Sequence, residues 1–354
     1  MPFTDEEFGR YRLEEGDILL NEGQSLELVG RAAIYRGDPA DCCFQNTLVR
    51  YQAGSDTDSV FAWNLFHYCL HTRVFAGIAT RTNSIAHLGV SRFSDLELRF
   101  PPLPEQKKIA DILSTWDKAV ETTEKLLANA DKQKRALVDQ LLTGKRRLKE
   151  FKGDWWSHKL GAIGETYGGL TGKAKGDFGD GLPYITYMMV FENSSIDLRR
   201  VGRVKVGAGE RQRRVRKGDI FFTTSSETPN EIGMASVLLT EPGECYLNSF
   251  CFGYRLYGRE TLLPEFARHL LRGGKFRRDI RELAQGATRY NLSKRALMKL
   301  ELRLPSVGEQ REIAVVLDDA DKIVQTLRSY RLRLENEKRA LMQQLLTGKR
   351  RVSV

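Results

Sequence analysis

Gly168-Gly169-Leu170-Thr171-Gly172-Lys173 comes nearest to a catalytic signature, the glycine loop that cradles a phosphate. That chemistry needs a glycine at the head of the motif and a hydroxyl after the lysine to hold magnesium; Tyr167 and Ala174 stand there instead. His67 and His71 lie one helical turn apart and could suit a metal. They have no third ligand at a sensible spacing and sit among Phe66, Tyr68, Cys69 and Leu70, so they read as packing histidines and no metal site is expected. The paired carboxylates Glu6-Glu7 and Glu14-Glu15 read as solvated. There is no H-E-x-x-H, no G-x-S-x-G and no G-x-G-x-x-G on a strand–helix turn. Asp38-Pro39 and Pro229-Asn230 lack the rest of an amino-methyltransferase signature. No catalytic constellation is present, which leaves recognition or assembly.

The residues suited to recognition are basic and polar. A net charge of +10 and a pI near 9.3 point to a polyanion, with nucleic acid and acidic lipid both open on charge alone. From Arg199 to Lys217 nine residues are basic and one is acidic, interleaved with valines at strand spacing. As a ribbon, Arg199, Arg200, Arg203, Lys205, Arg211, Arg213, Arg214 and Arg216 could neutralise several phosphates; a charged, solvated edge strand is the competing reading. Thr223, Thr224, Ser225, Ser226 and Asn230 follow an apolar strand and offer short hydrogen-bonding side chains for base edges. Gln285, Thr288, Arg289, Tyr290 and Asn291 gather amide, guanidinium and ring in one turn. Asn21 and Gln24, with Arg81 and Asn83, occupy the matching places nearer the N-terminus.

What must position these loops is a long repeated element. Residues 101–147 recur as 305–351 at one unchanging offset: Glu105-Gln106 returns as Glu309-Gln310, and Leu-Leu-Thr-Gly-Lys-Arg-Arg at 141–147 returns at 345–351. A repeat so long and gap-free is structural. Pro102, Pro104 and Glu105 suit the start of a helix, and Ser306 with Glu309 fits a capping box. Gly144 and Gly348 suit left-handed C-caps, with Lys-Arg-Arg at the negative helix end. From Glu105 to Thr143 the rise predicts a rod of about 58 Å. Ile109, Trp116 and Leu137 alternate with Leu113, Val120, Leu127 and Leu141, while Ile313, Leu327, Leu334 and Leu341 alternate with Leu317, Val324 and Leu345. This four-then-three spacing, in which Lys134, Arg331 and Lys338 also occupy register positions, is that of a coiled coil. If the two halves are related by a pseudo-twofold, the helices run antiparallel.

The globular segments repeat as well. Gly218-Asp219-Ile220 answers Gly16-Asp17-Ile18, a helix near residues 265–271 answers one near 63–70, and Leu300–Pro305 answers Leu96–Pro101. Between these anchors the copies diverge, as two binding modules of different specificity would. The segment Trp155–Lys217 precedes the second copy's Gly-Asp-Ile, whereas only residues 1–15 precede the first. A wrong or truncated start, a shortened module, and strands supplied from elsewhere all remain open.

No run of 18 or more apolar residues marks a membrane span, the N-terminus is not a secretory signal, and the five cysteines show no C-x-x-C spacing. A reduced, cytoplasmic chain is expected. With its tandem helices, each closing a Gly-Asp-Ile module, the whole chain resembles the DNA-specificity (S) subunit of type I restriction-modification systems. That resemblance implies an α+β fold with two target-recognition domains of mixed strand and helix, joined by two long helices forming an antiparallel coiled coil, in a pseudo-twofold internal repeat. It assigns recognition domains to residues 1–100, lacking the N-terminal part, and 148–304, and spacer helices to 101–147 and 305–354. It further implies a bipartite double-stranded DNA target. Two methyltransferase subunits and separate restriction subunits would carry the S-adenosylmethionine, ATP and Mg chemistry, with no cofactor bound by this chain and no enzyme activity of its own. A structural coiled-coil scaffold with nonspecific nucleic-acid affinity is the alternative.

Overall fold

The computed structural model describes residues 4–82, 84–286 and 288–353. The expected helices form as Leu103–Leu142 and Val307–Leu346, each 40 residues long and uninterrupted. Both end as their glycines require. Gly144 and Gly348 take φ of 70° and 71°, and the amides of Arg146 and Arg350 reach back to the carbonyls of Gln140 and Gln344. Two compact units result, Met1–Leu127 with Thr326–Val354, and Ala128–Gln325, so each helix contributes to both.

In the first unit the strands Ala32–Ile34, Ile18–Asn21 and Leu48–Tyr51 form an antiparallel sheet with Ile18–Asn21 in the middle. In the second, Ala235–Val237, Ile220–Thr223 and Cys251–Leu256 repeat that order, and Gly164–Gly168 adds a fourth strand on the far side of Cys251–Leu256. The register repeats too. Ile18 pairs with Ile34 and Tyr51, and Ile220 pairs with Val237 and Tyr254. A second small sheet recurs as Gly23–Gln24, Ile85–His87 and Thr80–Thr82, matched by Ser225–Ser226, Tyr290–Leu292 and Ala284–Gln285. Divergent sequences keep these pairings because the strands bury the same positions: Ile18 and Leu20 in one unit, Ile220 and Phe222 in the other.

The spacer helices run antiparallel in each unit. In the first, Asp117 meets Lys338 at 2.5 Å and Glu124 meets Arg331 at 3.5 Å; in the second, Lys134 meets Asp321 at 2.5 Å. Lys134 and Lys338, which break the apolar heptads, are thus one repeated ion pair. A slip of one turn would strand both, so these charges fix register at a cost in burial. Ile109, Leu113, Leu141, Ile313, Leu317, Val324, Leu334 and Leu345 are buried, while Trp116, Val120, Leu127, Leu137, Leu327 and Leu341 are half-buried. The seam is not helix-on-helix throughout. Ile109 and Leu113 pack with Phe61, Leu65, Met342 and Leu345, whereas Ile313 and Leu317 join the core of the second unit.

At each helix start one dipeptide makes two different attachments. Gln106 accepts from the Asp58 amide and donates to the Asp56 and Pro101 carbonyls, holding the entry of helix Ser59–His71. Gln310 does the same for helix Pro264–Leu270, through the Leu263 amide and the Thr261 and Pro305 carbonyls. The glutamates go elsewhere. Glu105 takes a bidentate pair from Arg351, and Glu309 one from Arg147. Ser306 does accept from the Glu309 amide, but the Glu309 carboxylate is committed to Arg147 instead of closing a capping box. The final arginine of each Lys-Arg-Arg therefore ties helix ends together, beyond its favourable place in the helix dipole.

Gln310 is fully buried, so Gln310→Leu leaves an amide and two carbonyls without partners. We expect it to lower the stability of the second unit by about 3 kcal/mol. Denaturant unfolding, with loss of exchange protection at the Leu263 amide, measures this.

Candidate nucleic-acid interface

The residues expected to recognise DNA do not form one surface of uniform character. The basic run is not a continuous ribbon: only Gly202–Val204 is a strand, paired with Phe178–Ile185, while Arg199 and Arg200 lie in a short 3-10 turn and residues 205–217 are mostly irregular. Gly207, Gly209 and Gly218 interrupt the alternation that valine spacing suggested. Arg199 pairs with Asp197 at 2.8 Å and Arg214 with Glu244 at 2.5 Å, so both are already neutralised. Arg203 donates to the Gly181 carbonyl, and the Arg213 guanidinium lies 5.8 Å from the centre of the Tyr167 ring. Arg200, Lys205, Arg211 and Arg216 are exposed, and among the described residues no carboxylate lies within salt-bridge distance of their side chains. Lys173, the lysine of the glycine loop, is buried against Glu210 at 2.5 Å, which leaves no phosphate cradle there.

The second group converges on an open cleft of about 680 Å³ lined by Tyr187, Met188, Phe191, Ser225, Ser226, Glu227, Glu231, Phe250, Thr288 and Arg289. Ser225 and Ser226 form its floor as a strand paired with Asn291 and Tyr290, and both are buried. Thr223 is fully buried and its hydroxyl accepts from the Met234 amide, while the Thr224 backbone is taken by Phe250 and Leu292. Thr223 thus belongs to the wall, and Thr224 is half-buried beside it. Asn230 is likewise held, its side-chain oxygen by Arg281 and its carbonyl by Arg277. Thr288 and Arg289 are exposed at the tip of the hairpin between Ala284–Gln285 and Tyr290–Leu292. Gln285 and Ser225 both sit opposite Asn291, so the three form one row across the sheet.

No pattern in the sequence marks the aromatic side of this cleft. Tyr187 and Phe191 stack with ring centres 5.8 Å apart, because the short helix Tyr187–Glu192 puts them one turn apart. Phe250 is 57% exposed and Met188 49%, which is unusual for such large apolar groups beside a carboxylate pair. Two arginines hold the walls in place. Arg272 donates to the carbonyls of Val190, Phe191, Asn193 and Ala235, and Arg277 to those of Asn230, Ile232 and Gly233. Burial pushes the Arg272 guanidinium down to about 10, still charged at neutral pH. An Arg-Gly-Gly-Lys-Phe-Arg-Arg string reads as a surface patch; only the contacts show that two of its arginines face inward.

In the first unit the equivalent row is Gln24, Ala86 and Arg81, with Gln24 and Arg81 both exposed and both opposite Ala86. Asn21 is half-buried at the end of its strand, its backbone paired with Gly30 and Arg31. Asn83 lies outside the described residues. Among the described residues no three His, Cys, Asp or Glu side chains are grouped to hold a metal, and no helix is long and apolar enough to cross a membrane.

A model of the type I restriction modification DNA specificity domain matches residues 4–131 and 153–335. The chain is 26% identical to the specificity subunit named for the type I restriction enzyme MjaX of Methanocaldococcus jannaschii, over 98% of this chain and 81% of that one. It is also 26% identical to the MjaVIII specificity subunit of the same organism, over 81% of this chain and 70% of that one. Among solved structures, a type I restriction-modification S subunit from M. genitalium superposes with a TM-score of 0.57 at 16% identity, covering 95% of this chain and 84% of that one. A chain from a study of complex assembly and conformational transition in the type I R-M system gives 0.59 at 17%, covering 95% and 82%.

His67 packs edge-on against Trp63, and burial, with Lys338 nearby, pushes its imidazole from 6.5 down to about 4. A histidine kept neutral in the fold takes up its proton on unfolding. Stability is then full above pH 6.5 and falls as the pH drops toward 4. Acid unfolding of the first unit should lose this component in His67→Leu, seen as a flatter stability profile across that window.

Proposed function

Because the chain belongs to the type I restriction modification DNA specificity family, we propose that it reads a two-part target on double-stranded DNA, one part with each unit. Partner methyltransferase and restriction subunits are then brought to that target. The observation that carries this reading is the repeat itself. Two units share strand order, register and helix latch, while the residues on their matching rows differ: Gln24 and Arg81 in one, Ser225, Asn291 and Gln285 in the other. One scaffold with two sets of loops is what two readers of unlike sequence require.

In the second unit the cleft supplies the groups base reading needs. Arg289 can pair with guanine, Glu227 and Glu231 can accept from exocyclic amines, and Phe250 and Met188 offer apolar contact to a thymine methyl or a base face. Arg200, Lys205, Arg211 and Arg216 serve the phosphates. The chain itself binds no cofactor and does no chemistry; S-adenosylmethionine, ATP and magnesium belong to the partners. The seam residues hold the two helices as the spacer that sets the gap between the two parts and as the frame for the partners.

Exchanging residues 155–300 for the corresponding region of another such subunit should change one part of the methylated motif and leave the other intact, read by sequencing modified bases. In the assembled complex, Arg289→Ala should relax discrimination at one base pair by about tenfold. Arg211→Ala with Arg216→Ala should instead weaken all sequences alike and make binding less salt-dependent, measured by titrations at several salt concentrations.

A further inference from the structure

Glu227 and Glu231 line the cleft of a chain whose net charge is +10, in a place where phosphate groups repel them. A carboxylate at a DNA surface is favourable where it accepts from an exocyclic amine. The hydrogen bonds around Glu231 narrow which amine that is. One of its carboxylate oxygens accepts from the Ser226 hydroxyl at 3.3 Å and the Thr228 hydroxyl at 2.9 Å. Its other oxygen has no donor among the described residues, and the side chain is exposed. Glu227 is exposed too, but no hydrogen bond or ion pair among the described residues fixes its carboxylate.

The run Thr224-Ser225-Ser226 sets the order of the groups beside it. The Thr224 amide donates to the Phe250 carbonyl, and the Ser225 carbonyl accepts from the Tyr187 hydroxyl at 3.0 Å. Ser226 holds Glu231 and pairs with Tyr290, the neighbour of Arg289. The apolar groups, Phe250 and the Met188 that follows Tyr187, therefore lie toward one end, and the carboxylate and guanidinium toward the other. Burial raises the Tyr187 phenol above its ordinary value, with Glu231 adding to the rise and Arg289 opposing it, so both charges act on that hydroxyl.

The major-groove edge of a C·G pair runs in the same order: the apolar C5–H of cytosine, its N4 donor, then the O6 and N7 acceptors of guanine. No other base suits a fixed, lone carboxylate oxygen. Thymine and guanine turn acceptors toward it, and adenine sets its N7 acceptor beside the N6 donor. We propose that the cleft reads a single C·G pair, with Glu231 accepting from cytosine N4, Arg289 donating to guanine, and Phe250 with Met188 covering the C5 edge. Ser226 and Thr228 are then positioning residues for Glu231. This inference deepens the DNA reading proposed above and rests on it.

The test uses the chain assembled with its partner subunits and duplexes of the motif it methylates. In the part of the motif that changes when residues 155–300 are exchanged, each cytosine is replaced in turn by N4-methylcytosine, which keeps its pairing N–H and puts a methyl in place of the groove-facing one. At one position the replacement should weaken binding about tenfold, and in Glu231→Ala the same replacement should change it less than about twofold. Glu231→Gln should cut discrimination between C·G and T·A at that position by about tenfold, because Ser226 and Thr228 hold the amide oxygen and turn its N–H groups toward thymine O4. Glu231 is exposed, so neither change disturbs the core. Glu227→Ala should keep the wild-type pattern; loss of the sensitivity there overturns the assignment in favour of Glu227. A split motif with no C·G pair in that part, no sensitive position, or a sensitivity that survives Glu231→Ala overturns this inference alone. A complex that discriminates no DNA sequence overturns the DNA reading and this inference with it.

Discussion

Everything in each unit is referred to a spacer helix through one buried glutamine. Gln106 and Gln310 each satisfy a backbone amide and two carbonyls at the entry of the helix that backs the central sheet. A buried carboxamide with every hydrogen bond made is worth little when formed but costly to leave half-satisfied, so the geometry it fixes is narrow. The neighbouring glutamate ties the same turn to an arginine from the other helix's end. One turn thereby sets both where the reading module sits on its helix and how that helix meets its partner.

From that anchor the divergence between the units becomes intelligible. The sheets keep their register because their buried faces must; the rows above them are free to differ. In the second unit the cleft walls are held by guanidinium groups that donate to backbone carbonyls, Arg272 taking five. Backbone carbonyls can be held this way whatever side chains the loop carries. A loop fixed by its backbone can change its outward-facing residues without losing its shape, as the proposed reading of two unlike sequences requires.

The helices, their glycine caps, the antiparallel pairing and the doubling of the Gly-Asp-Ile modules were legible in the sequence, because each rests on periodicity, on the repeat itself, or on glycine standing where the backbone takes a left-handed conformation that other residues avoid. The roles of the Glu-Gln pair and of Arg147 and Arg351 were not. Their partners lie far along the chain, and a glutamate in a first helical turn already has a sufficient local explanation. The polar string Thr223–Asn230 divides in the fold: Ser225 and Ser226 line the cleft, while Thr223 turns its hydroxyl to a backbone amide, because short hydroxyl side chains serve equally as ligand contacts and as buried strand caps. Phe250 and Met188 carry no pattern at all; their exposure is a property of the fold around them.

The central claim is that two units of one build read two unlike parts of a DNA target. Mapping methylated bases across the genome of the source organism, with and without this gene, tests it most directly. A split motif, two short specified parts separated by a fixed unspecified gap and lost with the gene, is the predicted result. A motif that is contiguous, or one that persists unchanged when the gene is removed, contradicts it.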